Sequence, residues 1–264
     1  MKIGFIGCGN MAQAIIGGIR KHNLVSGEEL MASAKTEATR RKIRETIGIC
    51  AAENNREAAA FADVLILAVK PVYMEEVIEE IADAVRPDTI VVTLAPGKTL
   101  QWLDSTFGRP TKLVRTMPNT PALVGEGMTA LCPNSFVTAE ELETVEKIFQ
   151  SFGKTQVVSE TMIDVVVGAS GSSPAYVFLF IEALADAAVS DGMPRDMAYE
   201  FAAQSVMGSA KMVLETGKHP GELKDMVCSP GGTTMEAVRV LEQHGFRSAV
   251  IEASRACVKK GREL

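Results

Sequence analysis

The sequence is poor in the residues that build disulfide frameworks and metal sites. Its 264 residues include five cysteines and three histidines, and the cysteines are scattered with no CxxC pair. An odd number of isolated cysteines predicts free thiols, which favours a reducing compartment and hence the cytoplasm. The histidines lack the spacing of zinc ligands, so we expect no metal.

The sequence also lacks an excess of positive charge and a long apolar run. Its net charge is −6, which argues against a nucleic-acid partner. The best candidate for a membrane span, residues 175–189, is interrupted by Glu182 and Asp186, so we expect no span. Glycines at positions 4, 7 and 9 break the apolar N-terminal segment, so we also expect no signal peptide.

Short apolar runs alternate with amphipathic segments through the first part of the chain. The strongest run, residues 63–69, is apolar after its first residue, as a central parallel strand should be. The alternation predicts a Rossmann-type doubly wound, mostly parallel sheet with helices on both faces. Strands are predicted at 2–6, 30–33, 63–69, 89–94, 112–116, 127–132 and 154–158, and helices at 11–21, 37–46, 72–85 and 139–152.

The hydrophobic pattern of the sequence changes near residue 160, after which no further strands are predicted. Helical patterns follow at 174–190, 194–215, 220–227, 233–244 and 246–260. We therefore predict a dinucleotide-binding domain at 1–160 and an all-helical domain at 161–264. Helices that are apolar on more than one face must bury the second face, which favours dimerisation through this domain over a tight monomeric bundle.

The first candidate site is a glycine turn between a strand and a helix. The segment Gly7-Cys8-Gly9-Asn10-Met11-Ala12 follows a strand ending at Ile6. The first glycine permits the tight turn, the second lets the backbone approach a pyrophosphate, and Ala12 allows close helix–strand packing. We predict that residues from Ile6 to Met11 bind a dinucleotide at the helix N-terminus.

The end of the second strand indicates which dinucleotide is bound. An NAD site usually has an acid there, but this stretch carries Ser33, Lys35 and Thr36, and the first acid is Glu37. Hydroxyls and a cation suit a 2′-phosphate, and we expect Arg40 and Arg41, one turn further on, to add positive charge near it. The stretch predicts a preference for NADPH, with NADH possible; a solvated loop is the alternative.

Later turns at the carboxyl ends of strands should face the same cofactor. They supply further candidates: Ala68, Val69, Lys70 and Pro71 at the end of the third predicted strand, Leu94 and Pro96 at the end of the fourth, and Asn119 after the fifth.

A second candidate site lies in the helical half. Ser229-Pro230-Gly231-Gly232-Thr233-Thr234 is a polar, glycine-rich loop that leads into a helix. Its N–H groups and hydroxyls could bind a carboxylate, although simple N-capping by a threonine is the alternative.

With these segments the chain resembles the pyrroline-5-carboxylate reductase family. The resemblance rests on residues 3–12, 68–71, 117–121, 170–176 and 223–242, of which 227–234 is the most specific. It implies an N-terminal Rossmann domain, a C-terminal dimerisation domain, and dimers that assemble into larger homo-oligomers. It also implies reduction of Δ1-pyrroline-5-carboxylate to L-proline, the last step of proline biosynthesis.

The resemblance further implies roles for individual residues. Asn55, Val69, Lys70 and Pro96 would contact the cofactor. The loop at 229–234 would bind the substrate carboxylate through Ser229, Gly231, Gly232, Thr233 and Thr234. The Thr234 hydroxyl, the predicted catalytic group, would lie near the ring nitrogen. Catalysis would depend on proximity and orientation, with modest proton help from Thr234 or water.

Two alternatives stay open. One is a reductase of another cyclic imine or of a β-hydroxyacid. A hydroxyacid enzyme would need an early lysine in the helical domain, yet none occurs after Ser170 until Lys211. The other is a non-catalytic dinucleotide sensor, since a Rossmann fold alone does not prove turnover.

Overall fold

The computed structural model describes residues 1–263 and divides into two compact units. The first unit comprises Met1–Ser172 with the C-terminal end of the chain from Cys257, and the second comprises Ser173–Ala256. The predicted boundary at residue 160 stays a prediction.

The strands all belong to the first unit. They are β1 (Ile3–Ile6), β2 (Leu30–Ser33), β3 (Cys50–Ala51), β4 (Val64–Leu67), β5 (Ile90–Thr93), β6 (Lys112–Met117), β7 (Gly127–Pro133) and β8 (Gly153–Val157). The helices in chain order are α1 (Asn10–Lys21), α2 (Glu37–Lys42), α3 (Asn55–Phe61), α4 (Met74–Ile81), α5 (Leu100–Phe107), α6 (Ala139–Gln150), α7 (Glu160–Val166), α8 (Ser173–Ser190), α9 (Arg195–Thr216), α10 (Pro220–Val227), α11 (Thr233–Gln243) and α12 (Phe246–Gly261).

The eight strands form one sheet in the order β3-β2-β1-β4-β5-β6-β7-β8. Every neighbouring pair is parallel except β6 and β7, which are antiparallel. The chain crosses over between β3 and β4, so the turns after β1, β2 and β4 end side by side. This is the doubly wound, mostly parallel sheet that the sequence predicts.

Both faces of the sheet are buried at β4, which explains why this central strand is apolar at every position. On β4, Val64 and Ile66 belong to one hydrophobic cluster, and Leu65 and Leu67 belong to the other. Successive side chains of a strand point to opposite faces, so a strand buried on both faces has no polar alternation.

The second unit is helical and buries little of its own apolar surface. Its small core is formed by Ala185, Ala198 and Ala202, where α8 packs on α9. Large side chains stay exposed, including Phe178 at 61%, Leu179 at 67% and Phe201 at 64%. Such an apolar surface marks a site of protein association.

Within the described residues, the segment Glu160–Ser190 has the length and hydropathy to cross a membrane, by those criteria alone. It was not expected to, because Glu182 and Asp186 interrupt its most apolar stretch. A helix that packs against another protein has the same length and composition.

Candidate functional site

The glycine turn after β1 has the geometry that the sequence predicts. Gly7 adopts a φ of +90°, and a Cβ atom there would lie 3.0 Å from the carbonyl oxygen of Ala68. Gly9 begins α1 as its N-cap with no side-chain capping bond, and a Cβ on Gly9 would meet nothing within 4 Å. The N-terminus of α1 therefore presents uncapped N–H groups to open space, which suits a phosphate group.

A cavity of about 660 Å³ opens at this turn. It lies at the carboxyl ends of β1, β2 and β4, the edge where open α/β sheets bind ligands. Nine of the predicted cofactor residues line it: Gly7, Cys8, Gly9, Ser33, Lys35, Thr36, Asn55, Val69 and Lys70.

Other predicted cofactor residues lie outside this lining. They are Ile6, Asn10, Met11, Ala68, Pro71, Leu94, Pro96 and Asn119. Ile6 is buried within the sheet, and the side-chain amide of Asn119 is bonded to Ser170 and Met128. Their predicted contacts with the cofactor remain predictions.

Several lining residues were not predicted as ligands: Ala34, Thr39, Glu53, Asn54, Tyr73, Glu76, Val77 and Glu80. Arg40, which was expected only to add positive charge near the 2′-phosphate, also lines the cavity. Tyr73, Glu76, Val77 and Glu80 recur with the spacing of one helix face, so helical periodicity from Lys70 onward could have identified them.

A line of hydrogen bonds fixes the inner wall of the cavity. The Gly7 N–H donates to Ser33 Oγ at 3.4 Å, and Ser33 Oγ donates to Asn55 Oδ1 at 2.7 Å. Asn55 Nδ2 in turn donates to Glu80 Oε2 at 2.6 Å. The line joins the glycine turn, β2, α3 and α4.

The loop after β2 combines a helix cap with basic side chains. Thr36 is the N-cap of α2, and its hydroxyl accepts from the Thr39 N–H at 3.2 Å. Arg40 donates to the Ala34 carbonyl and to Glu37, and its hydrogen bond to Glu37, with a second from Arg44, lowers the pKa of that carboxyl. Lys35 is exposed at the cavity wall. The basic groups thus lie where the sequence predicts a 2′-phosphate.

Cys8, in the glycine turn, is poorly suited to proton transfer. Burial raises the pKa of the Cys8 thiol, and the charge of Lys42 opposes this only in part. His22, His219 and His244 lie outside the turn, each at a helix end, and His219 caps α10 by accepting from the Gly221 N–H. The described part of the chain holds no cluster of metal-ligating residues.

The polar loop before α11, in the second unit, is a tight turn. The Gly232 N–H donates to the Ser229 carbonyl at 3.0 Å, and Gly231 has a φ of +67°. Proline second and a left-handed glycine third are the signature of a type II turn. Gly232 is the N-cap of α11 without a side-chain capping bond, so the threonine N-capping alternative is not what the structure shows.

Gly232 also illustrates why a side chain is excluded from this turn. A Cβ atom on Gly232 would lie 2.4 Å from Ser229 Oγ. The hydroxyls of Thr233 and Thr234 follow at the first two positions of α11, with Thr234 partly buried. The loop therefore offers uncapped N–H groups and hydroxyls at one helix N-terminus, an arrangement that suits a carboxylate.

Comparison with known proteins decides the family. Residues 160–264 match the family model for pyrroline-5-carboxylate reductase dimerisation, and residues 2–97 match the model for NADP oxidoreductase, coenzyme F420-dependent. The pyrroline-5-carboxylate reductase of Escherichia coli is 55% identical over 100% of this chain and 98% of its own length. The chain belongs to the pyrroline-5-carboxylate reductase family.

Solved structures agree with this assignment. A pyrroline-5-carboxylate reductase from Coxiella burnetii superposes with a TM-score of 0.92 at 36% identity, covering 99% of this chain and 97% of that one. The Plasmodium falciparum pyrroline carboxylate reductase with NADP bound gives 0.91 at 32% identity, covering 100% and 97%. The family resemblance, the fold class and the oxidoreductase assignment are thereby confirmed.

Proposed function

We propose that this chain reduces Δ1-pyrroline-5-carboxylate to L-proline with NADPH, as the last step of proline biosynthesis. The observation that carries the proposal is the 55% identity to a pyrroline-5-carboxylate reductase across the full chain. The cavity at Gly7–Gly9 and the turn at Ser229–Gly232 support the proposal, because the first would bind the dinucleotide and the second the substrate carboxylate.

The residues at the glycine turn fit the dinucleotide. A Cβ on Gly9 would fill open space in front of uncapped N–H groups, where a pyrophosphate needs close approach to the backbone. Lys35 and Arg40 at the cavity wall favour NADPH over NADH, because a 2′-phosphate adds negative charge beside them. When bound, NADPH supplies a hydride for the imine carbon.

The turn before α11 would bind the substrate. The carboxylate accepts from the N–H groups at the start of α11, which the helix dipole makes favourable for an anion. Thr234 places a hydroxyl near the ring nitrogen. As the hydride adds to carbon, the C=N π electrons pass to nitrogen, and a proton delivered through Thr234 or water completes the amine.

The exposed helices of the second unit would form the contact between subunits. The matched dimerisation model covers residues 160–264, and within it Phe178, Leu179 and Phe201 are exposed in the single chain. A homodimer would bury this surface, and dimers would assemble further into a larger homo-oligomer. The same burial accounts for the high hydropathy of Glu160–Ser190 with no membrane partner. The five free cysteines fit the cytoplasm.

The test is an assay of the purified full-length protein with NADPH and Δ1-pyrroline-5-carboxylate. We expect loss of the reduced-cofactor absorbance that depends on the imine, with proline as the product. Turnover of another cyclic imine or of a β-hydroxyacid, but not of this substrate, would identify the related reductase. NADPH binding with no turnover of any of them would identify a sensor.

A further inference from the structure

We infer that Glu80 is a positioning residue for the dinucleotide, acting through the side-chain amide of Asn55. The inference rests on the dinucleotide part of the proposed function and does not depend on the substrate. Glu80 lies on α4, and its carboxylate accepts from Asn55 Nδ2 at 2.6 Å at the wall of the cavity.

The carboxylate determines which way the Asn55 amide faces. An asparagine can exchange its oxygen and nitrogen by a half-turn of the amide, and its neighbours decide the orientation. A carboxylate can only accept, so a half-turn of Asn55 would place Oδ1 against Oε2 of Glu80. Glu80 therefore holds Nδ2 toward itself and Oδ1 toward Ser33.

The orientation of Asn55 then sets the direction of the Ser33 hydroxyl. Ser33 has one hydrogen, and Asn55 Oδ1 at 2.7 Å is a nearer acceptor than the Phe5 carbonyl at 3.4 Å. Because the Ser33 hydroxyl donates its hydrogen to Asn55, a lone pair of Ser33 Oγ can accept from the Gly7 N–H at 3.4 Å. The effect of Glu80 thus reaches the first glycine of the turn.

The same orientation suits an anionic ligand. Asn55 Nδ2 carries two hydrogens, and one is used by Glu80. The other is available on the amide that lines the cavity. If the amide were reversed, its oxygen would replace that donor and repel a phosphate or an electron-rich ribose oxygen.

If Glu80 positions Asn55, its removal should change the NADPH affinity in the opposite direction from that expected from charge alone. Removing a carboxylate from the wall of an anion-binding cavity should strengthen NADPH binding if charge alone matters. If Glu80 positions Asn55, Glu80→Ala should weaken NADPH binding about fivefold, the factor for loss of one hydrogen bond. Glu80→Gln removes the charge and keeps an oxygen that accepts from Asn55, but its amide can also donate, so it should lose less NADPH affinity than Glu80→Ala.

The experiment measures the NADPH dissociation constant of the full-length protein by fluorescence titration, together with kcat and the melting temperature. Glu79→Ala is the matched control, because Glu79 is an exposed acid of α4 outside the cavity lining. We expect the Glu80→Ala loss to appear in NADPH affinity and in KM for NADPH, with kcat unchanged. In an Asn55→Ala background, Glu80→Ala should cause no further loss.

Equal or tighter NADPH binding by Glu80→Ala would overturn the inference. So would a loss of the same size in Glu80→Gln, or one that persists in the Asn55→Ala background. A wild-type protein that does not bind NADPH would overturn the proposed cofactor as well. Failure to reduce Δ1-pyrroline-5-carboxylate, with these binding results intact, would overturn only the proposed substrate.

Discussion

Asn119 ties the loop after β6 to Ser170. Its side-chain nitrogen donates to the Ser170 carbonyl at 3.1 Å, and its oxygen accepts from the Met128 N–H at 2.8 Å. Ser170 belongs to a π-helical turn, Val167–Gly171, that follows α7. The nearly buried amide of Asn119 thus links the carboxyl end of a central strand to an irregular helical turn.

Asn119→Ala should destabilise the protein by about 1–3 kcal/mol, because it leaves the partly buried Met128 N–H and Ser170 carbonyl without this partner. The measurement is a shift in the melting temperature. Gln101→Ala, which truncates an exposed amide on α5, is the control and should shift it little. Weaker NADPH binding with unchanged stability would instead support the predicted cofactor contact of Asn119.

Thr234→Ala should lower kcat/KM for Δ1-pyrroline-5-carboxylate by roughly 10- to 100-fold, because a positioned proton donor is lost. NADPH affinity, measured by titration, should stay nearly unchanged. Thr234→Ser keeps the hydroxyl and should restore most of the activity. A large loss of NADPH affinity in Thr234→Ala would contradict the assigned role.

Lys35→Ala should weaken NADPH binding about tenfold and NADH binding much less, since only NADPH carries the 2′-phosphate that Lys35 would contact. Dissociation constants for both cofactors give the comparison. Lys21→Ala removes an equal charge from the last turn of α1 and controls for the net charge. Equal weakening of both cofactors would remove the case for discrimination at Lys35.

Asp83→Asn should lower the stability of the first unit in a pH-dependent way. The hydrogen bond from Arg56, whose two nitrogens lie 2.5 and 2.9 Å from the carboxylate oxygens, holds the pKa of Asp83 below its ordinary value of 3.8. A lowered pKa in the folded state stabilises the protein above the unfolded value, and the contribution is lost as the pH falls through the folded pKa.

Urea unfolding at several pH values tests this. The difference between wild type and Asp83→Asn should be present at neutral pH and shrink as the pH falls below about 3.8. Both groups are exposed, so the difference should also decrease with added salt. A difference that is independent of pH would show that the variant acts through packing.

The sequence predicts the sheet better than it predicts the wall of the cavity. The strands β1 and β4 are visible as apolar runs because both faces of a parallel sheet are buried. The strand β3 was not predicted, because its two residues are too few to show an alternating hydrophobic pattern. The helices α3, α5 and α7 were not predicted either, although Asn54 and Thr99 are recognisable N-cap residues of α3 and α5.

The predicted glycine turn and the basic loop after β2 depend on local sequence, so reading the sequence was enough to locate them. The contact between Asn55 and Glu80 depends on the packing of α3 against α4, and the two residues are 25 positions apart in the sequence. No local sequence pattern predicts a contact between residues so far apart in the chain. The type II turn at Ser229–Gly232 was predictable only in part. Proline followed by two glycines predicts a turn, but the absence of a side-chain cap on α11 is seen only in the structure.

Leu214→Glu should weaken self-association, because a charge placed in an apolar contact between subunits must be desolvated without a partner. Leu214 is 67% exposed in the single chain and lies near the end of α9, within the matched dimerisation region. Analytical ultracentrifugation should show the dissociation constant between subunits raised at least tenfold. Val124→Glu, at a 75% exposed position of the first unit, introduces the same charge and should leave the assembly intact. If both variants assemble as the wild type does, the apolar surface around Leu214 is not the contact; if both dissociate, the effect is one of net charge.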